Sequence, residues 1–439
     1  MALDYKRRRV AQLKSRRRTK FRTTGGVRDT AVLEAFARTR EGGNSVVDIV
    51  LVGDSNIFHA GYGWDHGLMH AMLTAGASSY ASGLLSVNEG ATPGIGSGAG
   101  YGYTRIGVPT TFGAASGAPA FCDNAFPDIS HNHYAWLDTD VSFGPTRNDG
   151  IHITDPSEIT PIQLDPGLAY KFRVHHAVFA SGGGSGTLSS RLGQTPWTTY
   201  VTQAISFAGA SDRLTHTDLT LGAAERTLAV QFQLAMSAAT TGKAWLSYFH
   251  VFQPDAVRGC SLTTLYGIGG KTTLQYRDEL GALGDTKIAY PLGILAERQA
   301  DTAASMRKCV VVINGGMNDR SVPNSRADVK RALHDLIDIF TSAWAAAGGY
   351  VDDLLFVLMP SHVVGDFGSS EAEQRLDSYR SAAMEIAMSR PRVAAVNLGE
   401  LMTYSEAIAG SWYTAEVSHL SEAGVNAIGL RAVKFLMGI

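Results

Sequence analysis

The stretch Val46-Val47-Asp48-Ile49-Val50-Leu51-Val52-Gly53-Asp54-Ser55-Asn56 decides the reading of this chain. Seven residues with one acid among them form a near-continuous apolar run, as a strand covered on both faces requires. The run stops at a glycine followed by three polar residues, which reads as a tight turn with a serine on it. Two further segments share this character. Cys309-Val310-Val311-Val312-Ile313 runs into Gly316-Met317-Asn318-Asp319, and Glu416-Val417-Ser418-His419 precedes a helical pattern near the end of the chain. A serine at a strand end, an amide side chain and a late histidine are the groups that acyl transfer needs: nucleophile, oxyanion donor and base.

Working outward, the second part of the chain alternates strands and helices. Ser261–Leu265 is strand-like and runs into Gly267-Ile268-Gly269-Gly270. Residues 325–347 form a helix with Val329, Leu333, Leu336, Ile337, Phe340 and Trp344 on one face, ended by Gly348-Gly349. Leu354–Met359 is a strand stopped by Pro360. Ser370 with Glu373 has a capping-box pattern for a helix to about Arg390. Val393–Leu398 is the last strand, and Ser421 caps a final helix. After Ser55, Gly67–Ala75 is expected to be helical. Such alternation implies a parallel sheet flanked by helices, with functional groups on loops at the carboxyl ends of its strands.

Between these parts the texture changes. From about residue 86, Gly-, Ser- and Thr-rich stretches are punctuated by short alternating runs, such as Tyr170–Val174, Thr227–Phe232 and Ala244–Phe249. These predict an antiparallel β-sandwich or barrel inserted into the α/β chain. The expected organisation is therefore a basic N-terminal arm over 1–40, a discontinuous α/β domain over 41–85 and 258–439, and a β-sandwich-like domain over 86–257.

At 439 residues, with 45% hydrophobic residues, the composition is that of an ordinary globular protein of two or three domains. The net charge of −2 conceals an asymmetry. Lys6–Arg9, Lys14, Arg16–Arg18, Lys20 and Arg22 form an arm with no acid between them. Such an arm suits nucleic acid, an anionic surface or an acidic protein partner, virion or other proteins among them, and a solvated tail is the plainer reading. No apolar region follows these charges as in a secretory signal, and no apolar run reaches the ~18 residues that span a bilayer. The expected location is virion-associated or else cytoplasmic. Three cysteines, Cys122, Cys260 and Cys309, give neither a disulfide framework nor a zinc spacing.

The motifs together resemble the SGNH (GDSL-type) hydrolases, esterases and lipases on a flavodoxin-like three-layer α/β/α fold. The resemblance covers about 46–75 and 258–439. Gly53-Asp54-Ser55 matches the family's first block, with Asn56 in place of the usual leucine. Gly267-Ile268-Gly269-Gly270-Lys271-Thr272 resembles the second, Gly316–Asp319 matches the third residue for residue, and Glu416–His419 resembles the last, with glutamate where aspartate is usual. The resemblance implies Ser55 as nucleophile, His419 as base, Glu416 as its orienting acid, and an oxyanion hole from the Ser55 and Gly270 backbone N–H groups and the Asn318 amide. It implies no cofactor and no metal.

Other candidates are weaker. His131 and His133 have ligand-like spacing near Asp138 and Asp140, but a polar loop is the plainer reading. His175 and His176 alternate across a strand and are read as structural. Gly94–Gly98 lacks the Lys-Ser/Thr of a phosphate loop. His59, Trp64, His66 and His362 are placed to line a pocket. Trp136, Trp197 and Tyr200 could stack on sugar rings or fill the sandwich core. An inserted β block beside an esterase site suggests a polysaccharide or glycoconjugate carrying short acyl, chiefly O-acetyl, esters. A lipase or thioesterase fits less well, since no long apolar lid is evident. The competing reading is a phage virion component, tail or decoration, in which the hydrolase fold serves assembly or host-surface binding. The sequence leaves a homo-oligomer open.

Overall fold

The computed structural model describes residues 20–57, 63–86, 104–106, 135–136, 141–144, 167–180, 184–192, 199–211, 213–221, 230–236, 245–267, 270–362, 370–414 and 418–439. Strands β1 (Lys20–Thr23) and β2 (Gly26–Asp29) form a hairpin. Helix α1 (Thr30–Ala37) follows, its first turn held by the Asp29 carboxylate, which accepts from the Ala31 N–H. Strand β3 (Ser45–Gly53) is buried at every position. A 3-10 turn (Ser55–Ile57) and α2 (Trp64–Thr74) come next.

The described strands of the middle region are β4 (Leu85–Ser86), β5 (Thr104–Ile106), β6 (Ala135–Trp136), β7 (Val141–Gly144), β8 (Tyr170–Val178), β9 (Ser185–Leu192), β10 (Thr199–Ser206), β11 (Arg213–Leu221), β12 (Val230–Met236) and β13 (Trp245–Phe252). The α/β pattern then returns with β14 (Gly259–Gly267), α3 (Thr273–Leu283), α4 (Asp285–Ala300), β15 (Met306–Gly315), α5 (Arg326–Ala346), β16 (Leu354–Pro360), α6 (Ser370–Ser389), β17 (Val393–Val396), α7 (Leu398–Leu401), α8 (Tyr404–Ala409) and α9 (Glu422–Met437).

The main sheet has seven strands in the order β1-β2-β17-β16-β15-β3-β14. From β14 to β17 all pairs are parallel, and β2 joins β17 antiparallel. Taken by appearance in the chain, the parallel strands lie in the order second, first, third, fourth, fifth, the flavodoxin-like winding. Helices α3 to α6 pack in series as one layer, and α1, α2 and α9 pack as another. The buried face predicted for α5 is observed, with Val329, Leu333, Leu336, Ile337, Phe340 and Trp344 all inside. This is the expected three-layer α/β/α fold.

The β strands of the middle region form two further sheets, β10-β9-β12-β7-β5 and β11-β8-β13-β4, with β6 also on β13. Every pairing in them is antiparallel. Phe172, Val174 and Leu219 of one sheet and Leu188 and Ile205 of the other belong to one continuous core. The region leaves and rejoins the α/β part side by side. Ser82 N–H donates to the Val251 carbonyl at 2.8 Å, and Gln253 N–H to that of Tyr80 at 2.9 Å.

One face of the second sheet is polar and meets α4. Arg173 donates to both Asp218 oxygens, at 2.7 and 2.9 Å, and to Asp301 at the C-terminus of α4 at 2.7 Å. On the same face the His175 ring stacks on His250 with centroids 5.3 Å apart and meets His216 edge-on at 5.8 Å. His216 Nδ1 lies 3.0 Å from Glu297 of α4. Burial pushes His175 and His250 well below the usual histidine range, so both are neutral. His176 points to the opposite face, against Phe207.

Asp48, the acid inside the β3 apolar run, is fully buried and ion-paired. Its Oδ1 accepts from Arg298 of α4 at 2.6 Å, from Ser261 of β14 at 2.5 Å and from the Tyr80 hydroxyl at 2.5 Å. Arg298 also donates to the Ser82 carbonyl at 2.7 Å. This network joins β3, β14 and α4 to the segment leading into the β region.

The expected arm over 1–40 needs correction. From Lys20 on it is folded into the main sheet. The Lys20 amine is drawn among the carbonyls of Ala387, Arg390 and Val393 and lies 3.5 Å from Asp29. A cation at the C-terminal end of α6 meets the negative end of that helix. The clusters Lys6–Arg9 and Arg16–Arg18 lie outside the described residues.

Candidate active site

The strand ends place the candidate residues. Gly53 pairs in register with Gly267 of β14 on one side and Asn314 of β15 on the other. The carboxyl ends of β3, β14 and β15 therefore lie level, and β3 and β15 flank the point where the winding reverses. In open α/β sheets that crevice is where ligands bind. Gly53 has no alternative residue: a Cβ there would lie 2.0 Å from the Asn314 carbonyl oxygen. The close approach lets β3 turn sharply into Ser55.

Asp54, buried beside the turn, accepts from both the backbone N–H and the amide of Asn56, at 3.0 and 2.9 Å. These bonds form an Asx-type turn that shapes residues 54–56. Asn56, where the resembling family has leucine, thus has a structural use. Burial, with the nearby Asp319 charge, raises the Asp54 carboxyl to about 6 against the pull of the Asn56 donors and Arg320.

The loop after β14 is tied to the loop after β15. Gly270 adopts φ +75°, the left-handed region that favours glycine. Asn318 Nδ2 donates to the Lys271 carbonyl at 3.1 Å. Asp319, buried, accepts from the Thr273 N–H at 3.1 and 3.2 Å and from its hydroxyl at 2.8 Å. Thr273 opens α3, so the carboxylate sits at a helix N-terminus where the dipole favours it. Burial raises the Asp319 carboxyl despite these donors.

His419 lies in the connection between α8 and α9 and is half-buried. Its carbonyl accepts from the Thr414 N–H at 3.0 Å, and its Nδ1 lies 3.4 Å from the Ser418 hydroxyl. It neighbours His362, which follows β16 and is fully buried. Burial, then the charges of Arg380, His419 and Arg320, push His362 down to about 3, so it stays neutral. The His362 ring faces Tyr413 at 6.2 Å, and Tyr413 faces Tyr404 at 6.1 Å.

The described geometry therefore brings the backbone at Ser55, Gly270 and Asn318 to one edge of the sheet, with His419 on the connection that follows β17. The Ser55 side chain and Glu416 lie outside what is described, as do His59, the His66 side chain, His131, His133, Asp138, Asp140, Gly94–Gly98, Trp197, the Trp136 and Tyr200 side chains, and Cys122. Trp64 is in the core. Among the described residues no group of His, Cys, Asp and Glu could hold a metal ion. Cys260 and Cys309 are free and buried. No described helix is long and apolar enough to cross a membrane.

No family model matches the chain, and no curated protein sequence does. Solved structures do match. A peptidoglycan O-acetylesterase superposes with a TM-score of 0.54 at 11% identity, covering 93% of this chain and 95% of that one. A carbohydrate acetylesterase from Sinorhizobium meliloti gives a TM-score of 0.26 at 12% identity, over 40% of this chain and 79% of its own. At 11% identity the likeness to the first of these is one of fold. The chain has the SGNH-hydrolase fold with an inserted all-β region.

Proposed function

We propose that this protein is a serine esterase that removes short acyl groups, chiefly O-acetyl, from a polysaccharide or glycoconjugate. Ser55 attacks the ester carbonyl while its proton passes to His419, which Glu416 orients through the other ring nitrogen. The tetrahedral oxyanion accepts hydrogen bonds from the Ser55 and Gly270 N–H groups and from Asn318. An amide carries two N–H groups, and the contact with Lys271 fixes the side chain through one of them. Collapse breaks the bond to the alcohol, whose oxygen takes the proton from His419. Water, deprotonated by the same histidine, then cleaves the acyl-enzyme and releases the acid. One donor in such a site is worth roughly 3–4 kcal/mol of barrier.

The observation that carries this reading is the level register of Gly53, Gly267 and Asn314, with Asn318 bound to the Lys271 carbonyl. It supports the reading because the loops that carry Ser55, Gly270 and Asn318 leave adjoining strand ends. The saccharide part leans on the likeness of fold, across the β region as well, to a peptidoglycan O-acetylesterase.

The test is hydrolysis of p-nitrophenyl acetate, longer p-nitrophenyl esters and O-acetylated glycans by the wild type and Ser55→Ala. Activity on acetate that falls with chain length and vanishes in Ser55→Ala is expected. Equal rates for the two proteins on every ester would overturn the proposal.

A further inference from the structure

The chain enters the Gly267–Gly270 loop through a strained residue. Tyr266, just before that loop, sits at φ +55°, in the left-handed region that a bulky side chain rarely occupies. The pairing of β14 with β3 slips at the same place. Thr264 faces Leu51 and Gly267 faces Gly53, so Leu265 and Tyr266 together oppose Val52. This is a bulge, a device that re-aims the chain at sheet edges and beside active sites. Gly270, at the other end of the loop, is left-handed too, at φ +75°, but glycine bears that conformation freely. Tyrosine does not, and a strained conformation persists only where its surroundings hold it.

Its ring and its carbonyl hold it. The Tyr266 ring is buried, 6.4 Å from the Phe340 ring of α5. The Tyr266 carbonyl accepts from the hydroxyl of Tyr276, itself buried, at 2.5 Å. Tyr276 stands in the first turn of α3, the helix start that also anchors the loop after β15 through Thr273 and Asp319. The Gly267–Gly270 loop is therefore fastened at both ends, by Tyr276 just before it and by the Asn318 bond to Lys271 just after it. Burial, then Tyr266, hold the Tyr276 phenol well above the usual tyrosine range, while the Gly53 N–H pulls the other way. An N–H that does so faces the phenol oxygen, so the hydroxyl stands between the end of β3 and the bulge of β14.

We propose that Tyr276 is a positioning residue: its hydroxyl keeps the Tyr266 bulge left-handed and so fixes where the Gly270 N–H stands relative to the turn that carries Ser55. The inference rests on the proposed reaction, in which Gly270 is an oxyanion donor. Tyr276 acts there through the backbone alone. A donor displaced by a fraction of an ångström loses much of its effect on the transition state.

The experiment is Tyr276→Phe, which removes one oxygen and keeps the ring. Its rates are compared on p-nitrophenyl acetate and on the matching thiono ester, whose carbonyl sulfur accepts hydrogen bonds weakly and so draws less on oxyanion donors. On the acetate kcat should fall about ten-fold with KM nearly unchanged, and on the thiono ester less than about three-fold. A merely structural tyrosine would lower both rates equally or neither. Equal falls, no fall, or a change confined to KM would overturn the proposal. The crystal structure of the variant is a second readout that does not depend on catalysis. Tyr266 is expected to leave the left-handed region and the Gly270 backbone to shift; both in their present places would overturn the proposal. Should Ser55→Ala hydrolyse p-nitrophenyl acetate as fast as the wild type, the esterase reading fails by itself, and the variant's structure alone decides whether Tyr276 sets the loop.

Discussion

Asn318 and Lys271 are joined across two loops, the amide of the first donating to the carbonyl of the second at 3.1 Å. In the proposed reaction this bond orients the side chain that would answer the developing negative charge. Asn318→Ala is expected to lower kcat about 10²- to 10³-fold with little change in KM. Steady-state kinetics on p-nitrophenyl acetate read the split directly. A change confined to KM would remove Asn318 from the oxyanion hole.

Asp319 anchors the same loop from behind, through three contacts with Thr273. Asp319→Ala leaves the Thr273 N–H and hydroxyl at the start of α3 without that acceptor. A stability loss of roughly 1–3 kcal/mol is expected in urea unfolding. The rate should fall with it, because the loop carrying Asn318 loses its support.

Asp54 is the group through which pH should act. Its folded carboxyl is raised to about 6, above the ~3.9 of an unfolded chain. The folded state therefore prefers the protonated acid. The associated stability is fully present below ~4 and is lost as pH rises through about 6. Asp54→Asn keeps an acceptor for Asn56 and removes the titration. Its stability relative to wild type should rise between pH 4 and pH 7, read from urea midpoints at the two values. A constant difference would mean Asp54 does not titrate in this window.

The buried pair of Asp48 and Arg298 makes a different prediction. Removing one partner strands a charge in the core, so Arg298→Met should destabilise by roughly 3–5 kcal/mol. Asp48→Leu combined with Arg298→Met should recover most of that loss. Thermal unfolding of the single and double variants measures both.

The parallel strands were legible because strands covered on both faces must be largely apolar, as Ile49–Val52 of β3 and Cys309–Ile313 of β15 are. The glycine turns after them were legible because close backbone approach admits no other residue. Helices α3 and α4 escaped the reading. Gly281 interrupts the first, and Pro291 and Gly293 lie inside the second. Its polar face serves long-range partners, as Arg298 does for Asp48 and Glu297 for His216, and periodicity cannot reveal those. The hairpin at Lys20 was hidden among basic residues, since charge counts do not tell a solvated lysine from one seated on carbonyls. Asp48 itself was a readable signal. An acid inside a buried strand demands a cation, but the sequence does not say which.

The paired segments 80–82 and 251–253 give the β region its entry and exit at one place. Such a junction can be cut and rejoined by a short turn with little strain on the sheet beneath it. The Arg173–Asp301 contact would be lost with the region, and the partly exposed Asp301 carboxylate would pass to solvent.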